Sequence, residues 1–227
     1  MITYLNILLS ISMMTTASFA TTWTVDDDGG NADFTTIQEA IDASSNGDEI
    51  LVMPGTYTGT GNWVIDLDGK AVWLHSSDGS ASTFIDGEDA RVGIFCNSGE
   101  TINTIIEGFT ITNCSGDAGG GMWCWDSTPV LRDCRFVSNV ASSKAGGVAC
   151  SLASPMFENC SFIGNSTVGD GGAFWCLEGN SVFTSCTFTD NSADNGGAII
   201  CSNSNLSFAD CSFTNNAAYD DRGGPRI

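Results

Sequence analysis

Ten cysteines, six tryptophans and 27 acidic side chains are the residues of this 227-residue chain that could do chemistry. Trp123 and Trp125 flank Cys124, and Trp175 precedes Cys176. Neighbours along an extended strand point to opposite faces, so inward cysteines put these indoles outside. Trp175 falls in the column of Trp123 two repeats later, about 10 Å away at strand spacing. Flat exposed indoles could stack on sugar rings or form a protein interface, where Trp is enriched. Loops lying over them would leave only a scaffold. Trp123, Trp125 and Trp175 are therefore the candidate ligand-binding platform.

Cleavage of a polysaccharide would need paired acidic groups across the scissile bond. Asp66, Asp68, Lys70, Asp86 and Arg91 lie in one irregular stretch, and the sequence does not place them on one face. Asp117, Asp170, Asp194, Asp220 and Asp221 gather at bends. Such a row offers oxygen ligands for loosely held Ca²⁺, and it equally describes a solvated acidic edge. Asp26-Asp27-Asp28-Gly29-Gly30 lacks the full calcium-loop spacing and reads as a turn. Zinc is disfavoured, because there is no Cys-x-x-Cys pair and His75 is the sole histidine. No residue stands out as catalytic, no metal site is assigned, and Ca²⁺ is the one cofactor entertained.

The elements that must position these residues follow from the repeats. Gly120-Gly121-Met122-Trp123-Cys124, Gly146-Gly147-Val148-Ala149-Cys150, Gly171-Gly172-Ala173-Phe174-Trp175-Cys176 and Gly196-Gly197-Ala198-Ile199-Ile200-Cys201 open four similar segments. Each continues to a second cysteine (Cys134, Cys160, Cys186, Cys211), then to Phe136, Phe162, Phe188 or Phe213, then to Asn139, Asn165, Asn191 or Asn216. The period is about 26 residues, which marks a solenoid. Cys-x-Phe alternation is strand-like. Asp133, Asn159, Ser185 and Asp210 precede the second cysteines and suit a turn. Three short strands per turn are expected, with a loop from Asn139 and its equivalents to the next Gly-Gly pair. The fold class is thus all-β, a right-handed parallel β-helix.

Cys96 opens an earlier rung, in which Phe109 and Ile111 stand for Cys134 and Phe136. Val64-Ile65, Val72-Trp73-Leu74 and Phe84-Ile85 suggest two more irregular ones. Before them, Phe34, Ile37 and Ile41 share one face of a short helix, with Thr35 and Gln38 as a capping box. That helix would close the first open edge of the stack. The cysteine columns admit two readings, buried thiols or disulfides between adjacent rungs.

Tyr4 to Met14 form an apolar stretch followed by Ser18-Phe19-Ala20, so residues 1–20 read as a cleaved export signal and the protein as secreted or displayed at the cell surface. Residues 21–227 form one domain, with an N-terminal cap over 21–60 and regular rungs over 94–227. A net charge of -20 makes nucleic acid and anionic lipid poor partners. No later segment is long and apolar enough to be a transmembrane helix. Gly223-Gly224 falls where a fifth repeat would begin. The chain therefore reads as truncated there, or as an end open to end-to-end association.

With these motifs the chain resembles the right-handed β-helix proteins of the pectin-lyase-like superfamily. Gly196-Gly197-Ala198-Ile199 and the four Phe-x-x-Asn motifs are similar to repeats of chlamydial polymorphic outer-membrane proteins and related surface adhesins. The resemblance spans residues 21–227. It implies a secreted binding or adhesion module for carbohydrate or a cell surface. The alternative it implies is a polysaccharide lyase or hydrolase, in which clustered carboxylates hold calcium beside an Arg or Lys base. Arg135 has no acidic companion in its own columns, so the regular rungs do not supply that arrangement.

Overall fold

The computed structural model describes residues 20–220 and 224–226. The chain coils as a right-handed parallel β-helix around one continuous apolar core. Four sheets form its walls. Sheet I has eight strands, from Thr22–Val25 to Ser207–Ala209, and sheet II seven, from Gly55–Tyr57 to Ser212–Thr214. Sheet III has six strands, from Trp63–Asp66 to Ile199–Ser202, and sheet IV begins at Ser115–Ala118. A regular turn visits sheets III, I, II and IV in that order, as in Met122–Trp125, Val130–Arg132, Arg135–Val137 and Val140–Lys144. The expected three strands per turn are therefore four in this part of the chain. The segment after Asn139, read as a loop, is the sheet IV strand.

The four corners share one backbone device. Asp126, Leu152, Glu178 and Asn203 between sheets III and I all have positive φ, as do Asp133, Asn159, Ser185 and Asp210 between I and II. Ser138, Gly164, Asp190 and Asn215 repeat it between II and IV, and Gly119, Ala145, Gly171 and Gly196 between IV and III. A left-handed residue reverses the chain in one step, which lets short strands meet at sharp corners.

Register is strict. Cys96, Cys124, Cys150, Cys176 and Cys201 are paired neighbours along sheet III. All ten cysteines are free thiols, and eight of them are buried. The second cysteine column sits just before the sheet II strands, at the corner. Phe136, Phe162, Phe188 and Phe213 stack nearly parallel at 5.1, 4.7 and 4.6 Å between ring centres. A second ring column, Phe157, Phe183 and Phe208 on sheet I, packs edge-on against the first. Sequence reading had missed this second column.

Between sheets II and IV runs a buried asparagine ladder. Asn139 donates from its main-chain N–H and its Nδ2 to Asn165 Oδ1 at 3.1 and 3.0 Å. Asn165 does the same to Asn191, and Asn191 to Asn216. Cys114 occupies the step below, its N–H donating to Asn139 Oδ1. The isolated cysteine is thus a ladder member with a thiol in place of the amide.

Helix α1 (Ile37–Ala43) turns Ile37, Ala40 and Ile41 into the core and packs on Thr22–Val25, Glu49–Val52 and Trp63–Asp66. Its N-cap is Thr36, one residue beyond the expected Thr35, and the reciprocal partner is Glu39 rather than Gln38. Lys70 Nζ donates to the Ile41 and Asp42 carbonyls, closing the C-terminal end of the helix. At the other extremity Gly224–Arg226 does not start a new rung. It folds back antiparallel on Ala217–Asp220. The export signal read over residues 1–20 lies, save for Ala20, outside the described residues. None of the described helices is long and apolar enough to cross a membrane.

Candidate functional site

Sheet III alternates inward cysteines with outward residues, and its outer face carries the candidate residues. One outward column reads Asp66, Phe95, Trp123, Ala149, Trp175 and Ile200. A parallel column two residues on begins at Trp125 and continues through Ser151 and Leu177. Trp123 is 38% exposed and Trp125 49%. Below them Phe95 meets Trp123 edge-on at 5.7 Å and stacks flat on Trp63 at 4.1 Å. A continuous aromatic strip, Trp63–Phe95–Trp123, therefore climbs the sheet with Trp125 beside its upper end.

Trp175 departs from the expected exposure. It is 9% exposed and packs with Ala145 and Ala149. Lys144 lies over its ring, with Nζ 4.0 Å from the centre. Ala149, the small residue between the two indoles in the column, leaves room for this packing. The cation covers the face that a sugar would use.

At its lower end the strip enters a cleft of about 410 Å³ lined by residues that include Gln38, Asp42, Thr58, Thr60, Trp63, Asp66 and Asp68. Gln38 organises it. Its Nε2 donates to Asp42 Oδ1 at 2.8 Å and its Oε1 accepts from the Asp66 N–H at 2.7 Å. Asp66 Oδ1 accepts from the Asp68 N–H at 3.0 Å. Burial, reinforced by the charges of Asp68, Glu100 and Asp42, pushes the Asp66 carboxyl above its ordinary value. The cleft thus offers hydroxyl-hydrogen acceptors beside an aromatic wall.

The five residues of the cleavage hypothesis are divided. Asp66 and Asp68 line the cleft, while Lys70 next to them is committed to the end of α1. Arg91 sits at the opposite end of the sheet III strands, since Val92 pairs with Trp63 and Phe95 with Asp66, and Asp86 ends the sheet II strand Thr83–Asp86 that precedes it. Four residues of strand put roughly 13 Å between those ends. There Arg91 is paired with Glu88, and Asp86 accepts from Asn113 Nδ2 at 2.9 Å.

Two of the acidic bends are likewise engaged, and Asp221 lies outside the described residues. Asp117 accepts from Ser142 Oγ at 2.7 Å and Asp170 from Asn195 Nδ2 at 3.0 Å. Among the described residues no three His, Cys, Asp or Glu side chains are grouped to hold a metal ion. His75 is a strand residue, 2.8 Å from Glu49 and stacked on Trp73 at 4.0 Å.

Sequence reasoning missed Trp63, Phe95 and the alignment of Asp66 with Trp123. Counting down the column from Trp123 gives Phe95 once Cys96 is aligned with Cys124. The next step, to Asp66, has no cysteine to anchor it, because Leu67 fills that core position.

A family model described as right handed beta helix region matches residues 71–224, more than half of the chain. No curated protein matches the chain. Among solved structures, a pectin methylesterase from carrot is 10% identical with a TM-score of 0.38, covering 89% of this chain and 86% of its own. A pectin methylesterase from Aspergillus niger is 12% identical with a TM-score of 0.41, covering 93% of each chain.

Proposed function

The chain belongs to the right-handed β-helix family, and from that premise we propose that it is a secreted or surface-displayed carbohydrate-binding module without a cleavage reaction of its own. The observation that carries this reading is the aromatic strip Trp63–Phe95–Trp123, with exposed Trp125 beside it and the carboxylates of Asp66 and Asp68 at its foot. Indole faces supply apolar contact to the C–H faces of sugar rings. Carboxylates supply acceptors for hydroxyl groups without needing a metal. Rungs about 4.8 Å apart repeat this chemistry along the coil axis, which suits an extended polymer.

Similarity of the Phe-x-x-Asn motifs to surface-adhesin repeats bears on construction first. Here the Phe and Asn of the first three such motifs are buried, so the motif builds rungs and leaves the outer face free to vary.

A glycan array followed by calorimetry tests the reading. Trp123→Ala and Trp125→Ala, each removing an exposed ring, should together weaken binding at least tenfold while leaving the circular dichroism spectrum unchanged. Binding that persists at full strength in the double variant would refute the platform.

One observation favours the second reading, a hydrolase or lyase. The Asp66 carboxyl is raised, as a general acid requires, and Asp68 lies beside it. Release of new reducing ends that disappears in Asp66→Asn would replace the binding module with this enzyme.

A further inference from the structure

We propose that Trp175 is a further sugar-stacking subsite, closed by Lys144, and that the ligand it fits is an extended neutral β-1,4-linked glycan reaching across Ala149 from Trp123. This rests on the carbohydrate-binding reading above and adds to it a subsite and the residue that gates it.

Register fixes the spacing. Trp123, Ala149 and Trp175 are paired neighbours in one outward column. Trp123 and Trp175 therefore stand two rungs, about 10 Å, apart on the same face. One disaccharide unit of an extended β-1,4-linked chain has a comparable length, and alternate rings of such a chain turn the same face to a wall. Ala149 carries only a methyl group and leaves the intervening ring room to pass. Trp175 also packs outside the main core, in a small separate cluster with Ala145 and Ala149.

Lys144 is what separates the two indoles. Trp123 is 38% exposed and Trp175 only 9%, with the Lys144 Nζ 4.0 Å from the centre of its ring. Lys144 ends the sheet IV strand Val140–Lys144, one rung below Trp175, and its side chain reaches up past the corner at Ala145. Its column along sheet IV reads Ala118, Lys144, Asp170 and Asn195. Ala118 belongs to the first strand of that sheet, so the column supplies no residue one rung below Trp123. The lower indole is open and the upper one is closed.

A second partner for the ammonium lies within reach. Asp170 is the in-register neighbour of Lys144 on the next rung, about 4.8 Å away between Cα atoms. Its Oδ1 accepts from Asn195 Nδ2 at 3.0 Å, and it forms no ion pair among the described residues. Moving Lys144 from the ring to this carboxylate exchanges a cation–π contact for a surface ion pair, two interactions of similar size. A sugar ring that stacks only on the freed indole binds one arrangement and not the other, and so decides between them.

Calorimetry of the full chain with cellohexaose, mannohexaose and xylohexaose, and with the matching disaccharides, tests the gate. Lys144→Ala should raise hexaose affinity, and with it the hexaose-to-disaccharide affinity ratio, by about fivefold or more. Lys144→Ala/Trp175→Leu, shown folded by circular dichroism, should lose that gain. Asp170→Asn removes the charge that receives the ammonium, so it should weaken hexaose binding when Lys144 is present and have no effect beside Lys144→Ala. A readout without glycan is the fluorescence of Trp175, taken as the difference between proteins with and without Trp175→Leu. Acrylamide should quench it at least about twofold more strongly in Lys144→Ala. Unchanged quenching, or hexaose binding that Lys144→Ala leaves as it was, overturns the subsite while the Trp123–Trp125 platform stands. No binding of any of these sugars by either protein overturns it as well, and the glycan array then decides the platform separately.

Discussion

Asp66 shows what a single residue of the outer face costs and permits. Its carboxyl is raised by burial first and then by Asp68, Glu100 and Asp42, so the folded state holds the charged form poorly. A raised acid adds stability below its ordinary value of 3.8, and that contribution is lost as pH rises through the folded value. Asp66→Asn keeps the acceptor for the Asp68 N–H and removes the charge. It should therefore raise the free energy of unfolding at pH 7, by less than about 1 kcal/mol once solvent screening is allowed for. The two proteins should converge in acid, below the unfolded value. Equal stability at every pH would show that the neighbouring carboxylates do not act on Asp66. A gain in stability on deleting a charge fits a residue kept for its surface chemistry. By contrast the thiols of Cys96, Cys150 and Cys160 are pushed well above their ordinary 9.0 by burial, and they serve as small core residues.

At the scale of the element, the asparagine ladder and the stacked rings show why the regular rungs were legible and the cap was not. Each ladder step joins rungs that are 25 or 26 residues apart, and the amides of Asn139, Asn165 and Asn191 are fully buried. Asn165→Ala removes the acceptor of the Asn139 main-chain N–H, one of the two acceptors of Asn139 Nδ2, and the donor to the Phe136 carbonyl. Each buried group left unsatisfied costs about 1–3 kcal/mol. A loss of at least ~3 kcal/mol in urea unfolding is expected, and a much smaller one for Asn216→Ala at the open end. Similar losses at the two positions would mean that the ladder is not cooperative. Such geometry demands the same residue at every rung, and repetition of Cys, Phe and Asn is what the sequence displays. Corners demand only a left-handed backbone, which Asp133 and Asn159 advertise and Leu152 or Glu178 do not. Sheet IV strands such as Ser166–Thr167 are two residues long and carry no period. The cap depends on single contacts, Lys70 on the helix end and Gln38 on Asp66, between residues distant in sequence. Hence the fold and the upper half of the aromatic strip could be read, while Trp63, Phe95 and the Asp66 cleft could not.

For the whole molecule the deciding quantity is charge. The chain carries 27 acidic side chains against seven basic ones. Among the described basic residues, Lys70 caps α1, Arg91 pairs with Glu88, Arg132 pairs with Glu158, and Lys144 covers Trp175. Of the basic side chains that are described, Arg135 is the exposed one with no ion pair. Little positive charge is left to offset a field that is negative over the surface, the Trp123–Asp66 face included. Acidic polymers such as polygalacturonate should be repelled, and a neutral or amino-bearing glycan should reach the strip. Affinity for neutral oligosaccharides should stay the same between low salt and ~0.5 M, where the Debye length has shrunk to a few ångströms. Oligogalacturonate should not bind at low salt, and any binding it shows should strengthen as salt is added. Calorimetry at the two ionic strengths separates the cases, because tight oligogalacturonate binding that salt weakens would require a cationic site. Of the basic side chains that are described, Lys144 is held over Trp175, and exposed Arg135 lies on sheet II, away from the indoles of sheet III.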